Sequence, residues 1–257
     1  MTDVCPTHRI RSDWRRHRRG LNIIDPPLGD DFALGGIAAQ ALPLDARIVI
    51  LSTEPLDADR VALNAAAAKW LGETAPTEST VPVFGWGHST SATSTALVHG
   101  SWSNDDREWD RYIALQRHGG LEAGLTRAAW SGRQGRRVFS LRYLVAAMWS
   151  IADLQVAAAA KWAIDGPWEI SLALRDTAGA ALGDFAEGWA PFGDFRNDGT
   201  GCGEPHVLHR WTVDEIEPQA LAFGAGDRIE NSFGTTHQRY LAHRGSYEGQ
   251  FDPCSVG

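Results

Sequence analysis

Between residues 168 and 175 the chain alternates: Trp168, Ile170, Leu172 and Leu174 fall on one parity, and Glu169, Ser171, Ala173 and Arg175 on the other. A period of two sends successive side chains to opposite faces, so this stretch predicts a half-buried strand. Asp176-Thr177-Ala178-Gly179 is turn chemistry, and the run from Ala180 to Trp189 is expected to pair back against that strand. Upstream the period changes. Leu141, Leu144, Val145, Met148, Trp149, Ile151, Leu154, Val156 and Trp162 predict a long helix from Leu141 to Ile164, capped by Ser140 and stopped by Asp165-Gly166-Pro167. Being apolar on most sides, it is expected to pack across a sheet.

Trp109 to Arg117, the pair Gly119-Gly120, then Leu121 to Thr126 predict a β-hairpin, because paired glycines supply the positive φ that tight turns require. A further strand is expected at Val207 to Val213. Arg47 to Ser52 is a short continuous apolar run, which suggests a strand buried on both faces, as in an α/β layer. After Thr53 and Pro55, Leu56, Leu63, Ala67, Trp70 and Leu71 share one helical face, with Gly72 as the expected stop. The segment Glu217 to Gly234 is helical in parts but interrupted by Pro218, Gly224 and Gly226, and its form stays open. The fold class is therefore α+β: an antiparallel sheet packed on one long apolar helix, with a smaller α/β N-terminal segment. Residues 81–104, rich in Ser, Thr and Gly, read as a linker between a small α/β segment at 21–80 and an α+β domain at 105–257, with a basic arm at 1–20.

Composition excludes some classes. At 257 residues, 43% hydrophobic and without a glycine triplet period, the chain is neither disordered nor collagen-like. The net charge of −8 argues against a uniformly basic surface, yet residues 1–20 sum to +4 and the remainder to −12. Lys69 and Lys161 are the only lysines, so richness in arginine reflects coding preference as much as phosphate binding. Cys5, Cys202 and Cys254 are too few and too far apart for a disulfide scaffold, which points to a reducing, cytoplasmic setting. Arg18-Arg19 ahead of the apolar stretch Phe32 to Leu42 imitates an export signal, but Asp25, Pro26, Pro27, Asp30 and Asp31 intervene. No membrane contact is expected: the best uncharged apolar stretch, Tyr143 to Ala152, falls short of the ~18 residues a spanning helix needs.

The common mechanism-bearing motifs (nucleophile elbow, phosphate loop, dinucleotide fingerprint, paired-cysteine and helical zinc motifs) are missing from the sequence. Gly87-His88-Ser89-Thr90-Ser91 approaches the elbow but has Ser91 where its second glycine belongs, so it reads as loop. Cys202, His206 and His209 are the only soft metal ligands close together, and zinc is the ion that thiolate and imidazole suit. On a strand, however, His206 and His209 point to opposite faces, and a hydrogen-bonded structural histidine is the favoured reading. Asp184 and Glu187 likewise diverge on a strand and read as edge charges rather than an acid–base pair.

Two arginine clusters suit phosphate contact: Arg15, Arg16, Arg18 and Arg19 in the arm, and Arg133, Arg136 and Arg137 around two glycines. Of eleven tryptophans, Trp149, Trp162 and Trp168 fall at core positions, whereas Trp86, Trp102 and Trp189 neighbour Gly, Ser or acidic residues and are candidates for binding a ligand or partner. The stretch Arg111-Tyr112-Ile113-Ala114-Leu115-Gln116-Arg117-His118-Gly119-Gly120-Leu121-Glu122-Ala123-Gly124, with the long helix and the Trp168 strand after it, resembles the C-terminal accessory regions of bacterial proteins that carry a Schlafen-like, AlbA-type DNA-binding domain. The resemblance spans residues 105–252, does not include that DNA-binding domain, and transfers no catalytic residue. It implies a companion recognition domain of a bacterial regulatory or defence-type protein. The expectation is thus a non-catalytic recognition or interaction domain, partnered by another protein or by nucleic acid without sequence preference, with no cofactor. A zinc-dependent hydrolase using Cys202, His206 and His209 is the alternative.

Overall fold

A computed structural model describes residues 44–53, 60–78, 88–92, 96–103, 108–125, 128–131, 136–183 and 201–234. In chain order the elements are β1 (Ala46–Ser52), α1 (Ala65–Glu78), β2 (His88–Ala92), β3 (Ala96–Ser103), β4 (Glu108–Gln116), β5 (Leu121–Leu125), β6 (Ala129–Ser131), β7 (Arg137–Ser140), α2 (Leu141–Trp162), β8 (Trp168–Arg175), β9 (Ala181–Gly183), β10 (His206–Val213) and α3 (Pro218–Ser232). The fold is α+β. Seven strands form one sheet in the order β10-β8-β1-β5-β4-β3-β2, antiparallel throughout, and β6-β7-β9 form a second, small sheet.

The alternation that predicted β8 explains the main core. Ala46, Ile48 and Ile50 of β1 lie opposite Leu125, Ala123 and Leu121 of β5 on one side and Leu174, Leu172 and Ile170 of β8 on the other. All are buried in one cluster with the inner residues of the helices. Each large aliphatic side chain withdrawn there contributes about 1.5–3 kcal/mol. Helix α2 lies across this face. The Ser140 hydroxyl caps it by accepting from the Tyr143 N–H at 3.2 Å, as its sequence predicted. Trp162 of α2 meets Trp70 of α1 edge-on at 4.6 Å, and Trp149 meets Phe223 of α3 at 6.2 Å, so α2 is held between two neighbours. Tyr143–Trp162 is long and apolar enough to cross a membrane, but 67% of its most apolar window is buried inside the fold, where packing uses that apolarity.

The β4–β5 hairpin is present, and its two glycines do different jobs. Gly119 takes a φ of 90°, while a Cβ on Gly120 would overlap Leu51 and His118. The Gln155 amide of α2 donates to the Gly119 carbonyl at 3.0 Å, tying the turn to the core helix.

Elsewhere the fold departs from the sequence reading. The expected linker at 81–104 contains β2 and β3, which extend the main sheet. Only β2 is at the edge, where one partner suffices and a Ser/Thr-rich segment can serve; β3 lies between β2 and β4 and buries Ala96, Leu97 and Val98. Within the segment at 21–80, the described strand β1 belongs to the main sheet, lying mid-sheet between antiparallel β5 and β8. Helix α1 begins at Ala65, where the Asn64 side chain accepts from the Ala67 N–H at 3.0 Å, and it runs through Gly72. Gly72 serves close approach: a Cβ there would stand 2.9 Å from Thr90 Oγ1 of β2. Finally, β9 does not pair back on β8, which already has β1 and β10 as neighbours; it runs parallel to β7.

Candidate functional site

Two arrangements of charge stand out, one inside the sheet and one at its end. On the face turned away from the helices, Arg47 of β1 and Tyr112 of β4 both lie opposite Gly124 of β5, with Glu122 two residues away on the same face. Arg47 Nη2 donates to Glu122 Oε2 at 3.1 Å and the Tyr112 hydroxyl donates to Oε1 at 3.0 Å. A Cβ on Gly124 would overlap the Tyr112 ring, so glycine makes the room this group occupies. Burial, followed by the Glu122 charge, holds the Tyr112 hydroxyl well above its ordinary range, so it stays a neutral donor. Both carboxylate oxygens are engaged, which closes the group as a structural polar unit.

The second arrangement sits where β1 begins, β8 ends, β10 begins and β7 of the small sheet meets them. Residues 176–180 and 201–206 run side by side there: the Thr177 N–H donates to the Pro205 carbonyl at 2.9 Å, Gly179 to Cys202 at 2.8 Å, and Cys202 to Ala180 at 3.1 Å. Arg136 docks on this pair of segments, donating to the Gly179 carbonyl at 2.7 Å and the Ala180 carbonyl at 3.4 Å. Arg137 Nη2 pairs with Asp45 Oδ1, whose other oxygen accepts from the Ala129 N–H at 3.0 Å. Arg137 Nη1 is also 3.9 Å from Asp176 Oδ2, and Arg175 Nε approaches the same oxygen at 3.6 Å. The Asp176 N–H donates to His206 Nδ1 at 3.4 Å. Burial raises the Asp45 carboxyl above its usual range, against the opposing pull of the Ala129 N–H and Arg137; the Asp176 charge adds to the rise, so the cluster acts as one electrostatic unit.

The residues expected from sequence are thus partly gathered. Arg136, Arg137 and His206, drawn from two unrelated candidate sets, meet at this rim. Cys202 is buried beside it, its thiol donating to the Glu204 carbonyl at 3.6 Å. His209 is elsewhere: it faces the helices, with Nε2 2.8 Å from Ser232 Oγ, and burial, then the Arg228 charge, lowers its pKa. Cys202, His206 and His209 therefore do not converge, and no group of three His, Cys, Asp or Glu able to hold a metal occurs among the described residues. Arg15, Arg16, Arg18, Arg19, Arg133, Trp86, Trp189, Asp184 and Glu187 lie outside the described residues, as does the side chain of Trp102.

Sequence reasoning missed Asp45, Arg175 and Asp176 at the rim and the Arg47–Glu122–Tyr112 group within the sheet. For the latter a signal existed: Arg47 and Glu122 are opposite charges on runs otherwise apolar enough to be buried, and buried charges need partners. No protein-family model matches the chain, and neither a curated protein nor a solved structure matches it.

Proposed function

We propose that the chain is a non-catalytic recognition domain that contacts the phosphates of nucleic acid, without sequence preference, through the rim formed by Arg136, Arg137, Arg175 and His206. One observation carries this reading: two half-buried arginines from different sheets, Arg137 and Arg175, converge on a single exposed point occupied by Asp176. Guanidinium groups held by strands are pre-organised for an anion, and arginine's planar fork matches phosphate as well as carboxylate. The other described candidates are turned inward: Glu122 is enclosed by Arg47 and Tyr112, and the prospective zinc ligands are apart. The arm at 1–20 supplies a second basic element, and the likeness of residues 105–252 to accessory regions of DNA-binding proteins agrees with the reading.

A second reading is favoured by β10, an end strand of the sheet whose His206 and Thr212 are exposed and Leu208 half-buried. Such an edge can accept an extended segment of a partner protein. Fluorescence anisotropy with a labelled single-stranded oligonucleotide over a salt series separates the two. Binding at low salt that falls steeply with salt, and is weakened by Arg137→Gln with Arg175→Gln, is the expected result. Absence of binding at low salt would refute the nucleic-acid reading and leave the strand edge.

A further inference from the structure

We propose that Asp176 is a built-in stand-in for a phosphate: its carboxylate occupies the seat between Arg137 and Arg175, and a nucleic-acid phosphate binds by displacing it. The inference rests on the recognition reading above and adds how that site is kept closed. Asp176 is placed for such a role. It follows β8 directly, in a turn where its φ is 54°, a left-handed conformation that Asp and Asn tolerate better than other side-chain-bearing residues. Its side chain is 56% exposed, against 35% for Arg137 and 28% for Arg175, so the acid is the accessible member and the two cations are the anchored ones. At 3.9 and 3.6 Å the contacts are longer than the roughly 2.7–2.9 Å of a charge-assisted hydrogen bond. Asp45 already takes Nη2 of Arg137, and the Asp176 carboxylate adds only these longer contacts to Arg137 Nη1 and Arg175 Nε, neutralising the seat without a close hydrogen bond.

Charge arithmetic at the rim points the same way. Among the described residues, Arg136, Arg137 and Arg175 are matched in number by Asp45, Asp176 and the exposed Glu204, whose carbonyl accepts from Thr177, so these residues carry no excess positive charge while Asp176 stays in place. Asp45 is the buried partner of Arg137 and cannot swing out; Asp176 can, because its backbone is held by His206 and by the Thr177 contacts while its side chain is free to rotate into solvent. No covalent step is involved: one anion replaces another on the same two cations.

The test compares the full chain with Asp176→Asn, which keeps the left-handed turn and removes only the charge. With a fluorescein-labelled 20-mer of single-stranded DNA at low salt, the variant should bind roughly tenfold tighter, the size of one like-charge contact near 4 Å removed at a protein surface. Inorganic phosphate should compete more effectively against the variant than against wild type. Arg175→Gln placed in the Asp176→Asn background should abolish the gain. Equal affinity of wild type and Asp176→Asn, with Arg137→Gln/Arg175→Gln weaker than both, would overturn the inference while the recognition reading stands. No DNA binding by wild type or Asp176→Asn would overturn both, and a gain with a phosphopeptide but none with DNA would overturn nucleic acid as the occupant.

Discussion

Two arginine–carboxylate contacts in this protein use the same chemistry to different ends. Arg47 and Glu122, with side chains 8% and 2% exposed, meet at 3.1 Å inside the sheet and are completed by Tyr112. Arg175 and Asp176, 28% and 56% exposed, stand at 3.6 Å on its rim. Desolvation makes the first pair costly to break, because a guanidinium stripped of its partner cannot recover water. Solvent makes the second exchangeable, because water or another anion can replace the carboxylate at little cost. Burial, more than residue type, decides whether an ion pair holds the fold or stays exchangeable.

The sharpest way to break the comparison is Glu122→Ala. It should cost about 3–5 kcal/mol in chemical denaturation, since Arg47 and the Tyr112 hydroxyl lose their shared acceptor. Replacing both charges, Arg47→Met with Glu122→Leu, should restore much of that loss; a double variant as unstable as the single one would show that the pair does more than satisfy itself. Gly124→Ala comes next, at about 1–3 kcal/mol, because the added methyl meets the Tyr112 ring in a packed site. On the rim, Asp176→Asn should shift stability by no more than about 0.5 kcal/mol, as expected of an exposed pair. A destabilisation comparable to that of Glu122→Ala would erase the distinction.

How much of this was legible depends on where the information lies along the chain. The β8 strand, the hairpin and the Ser140-capped helix each carry their own period and boundary signals within a few residues, and all three are present. The edge strand β2 and its inner neighbour β3 were hidden because Ser, Thr and Gly around them look like linker. The rim was half visible. Arg136, Arg137 and His206 were singled out by local composition, but Arg175 and Asp176 read as the end of a strand and its turn. Only the tertiary approach of β7 to the shared end of β1, β8 and β10 puts these residues together, and no local pattern encodes that.

His209 sharpens the comparison from between the two extremes, being half-buried beside Ser232. Its folded pKa is lowered, first by burial and then by Arg228, so the fold favours the neutral ring. The stability it contributes is present above its unfolded pKa of about 6.5 and is lost as pH falls through the folded value. Thermal denaturation between pH 7 and pH 5 should show wild type losing stability more steeply than His209→Gln. Parallel curves would mean that burial at this depth does not govern the ring.

The measurement that addresses the rim most directly is amide hydrogen exchange of the full chain with and without a single-stranded DNA 20-mer at low salt. Added protection is expected at residues 136–138, 174–180 and 201–206, with β2 and the core strands unchanged. Protection that avoids these segments, or that gathers along the β10 edge beyond residue 208, would contradict phosphate contact through the Arg137–Arg175 seat.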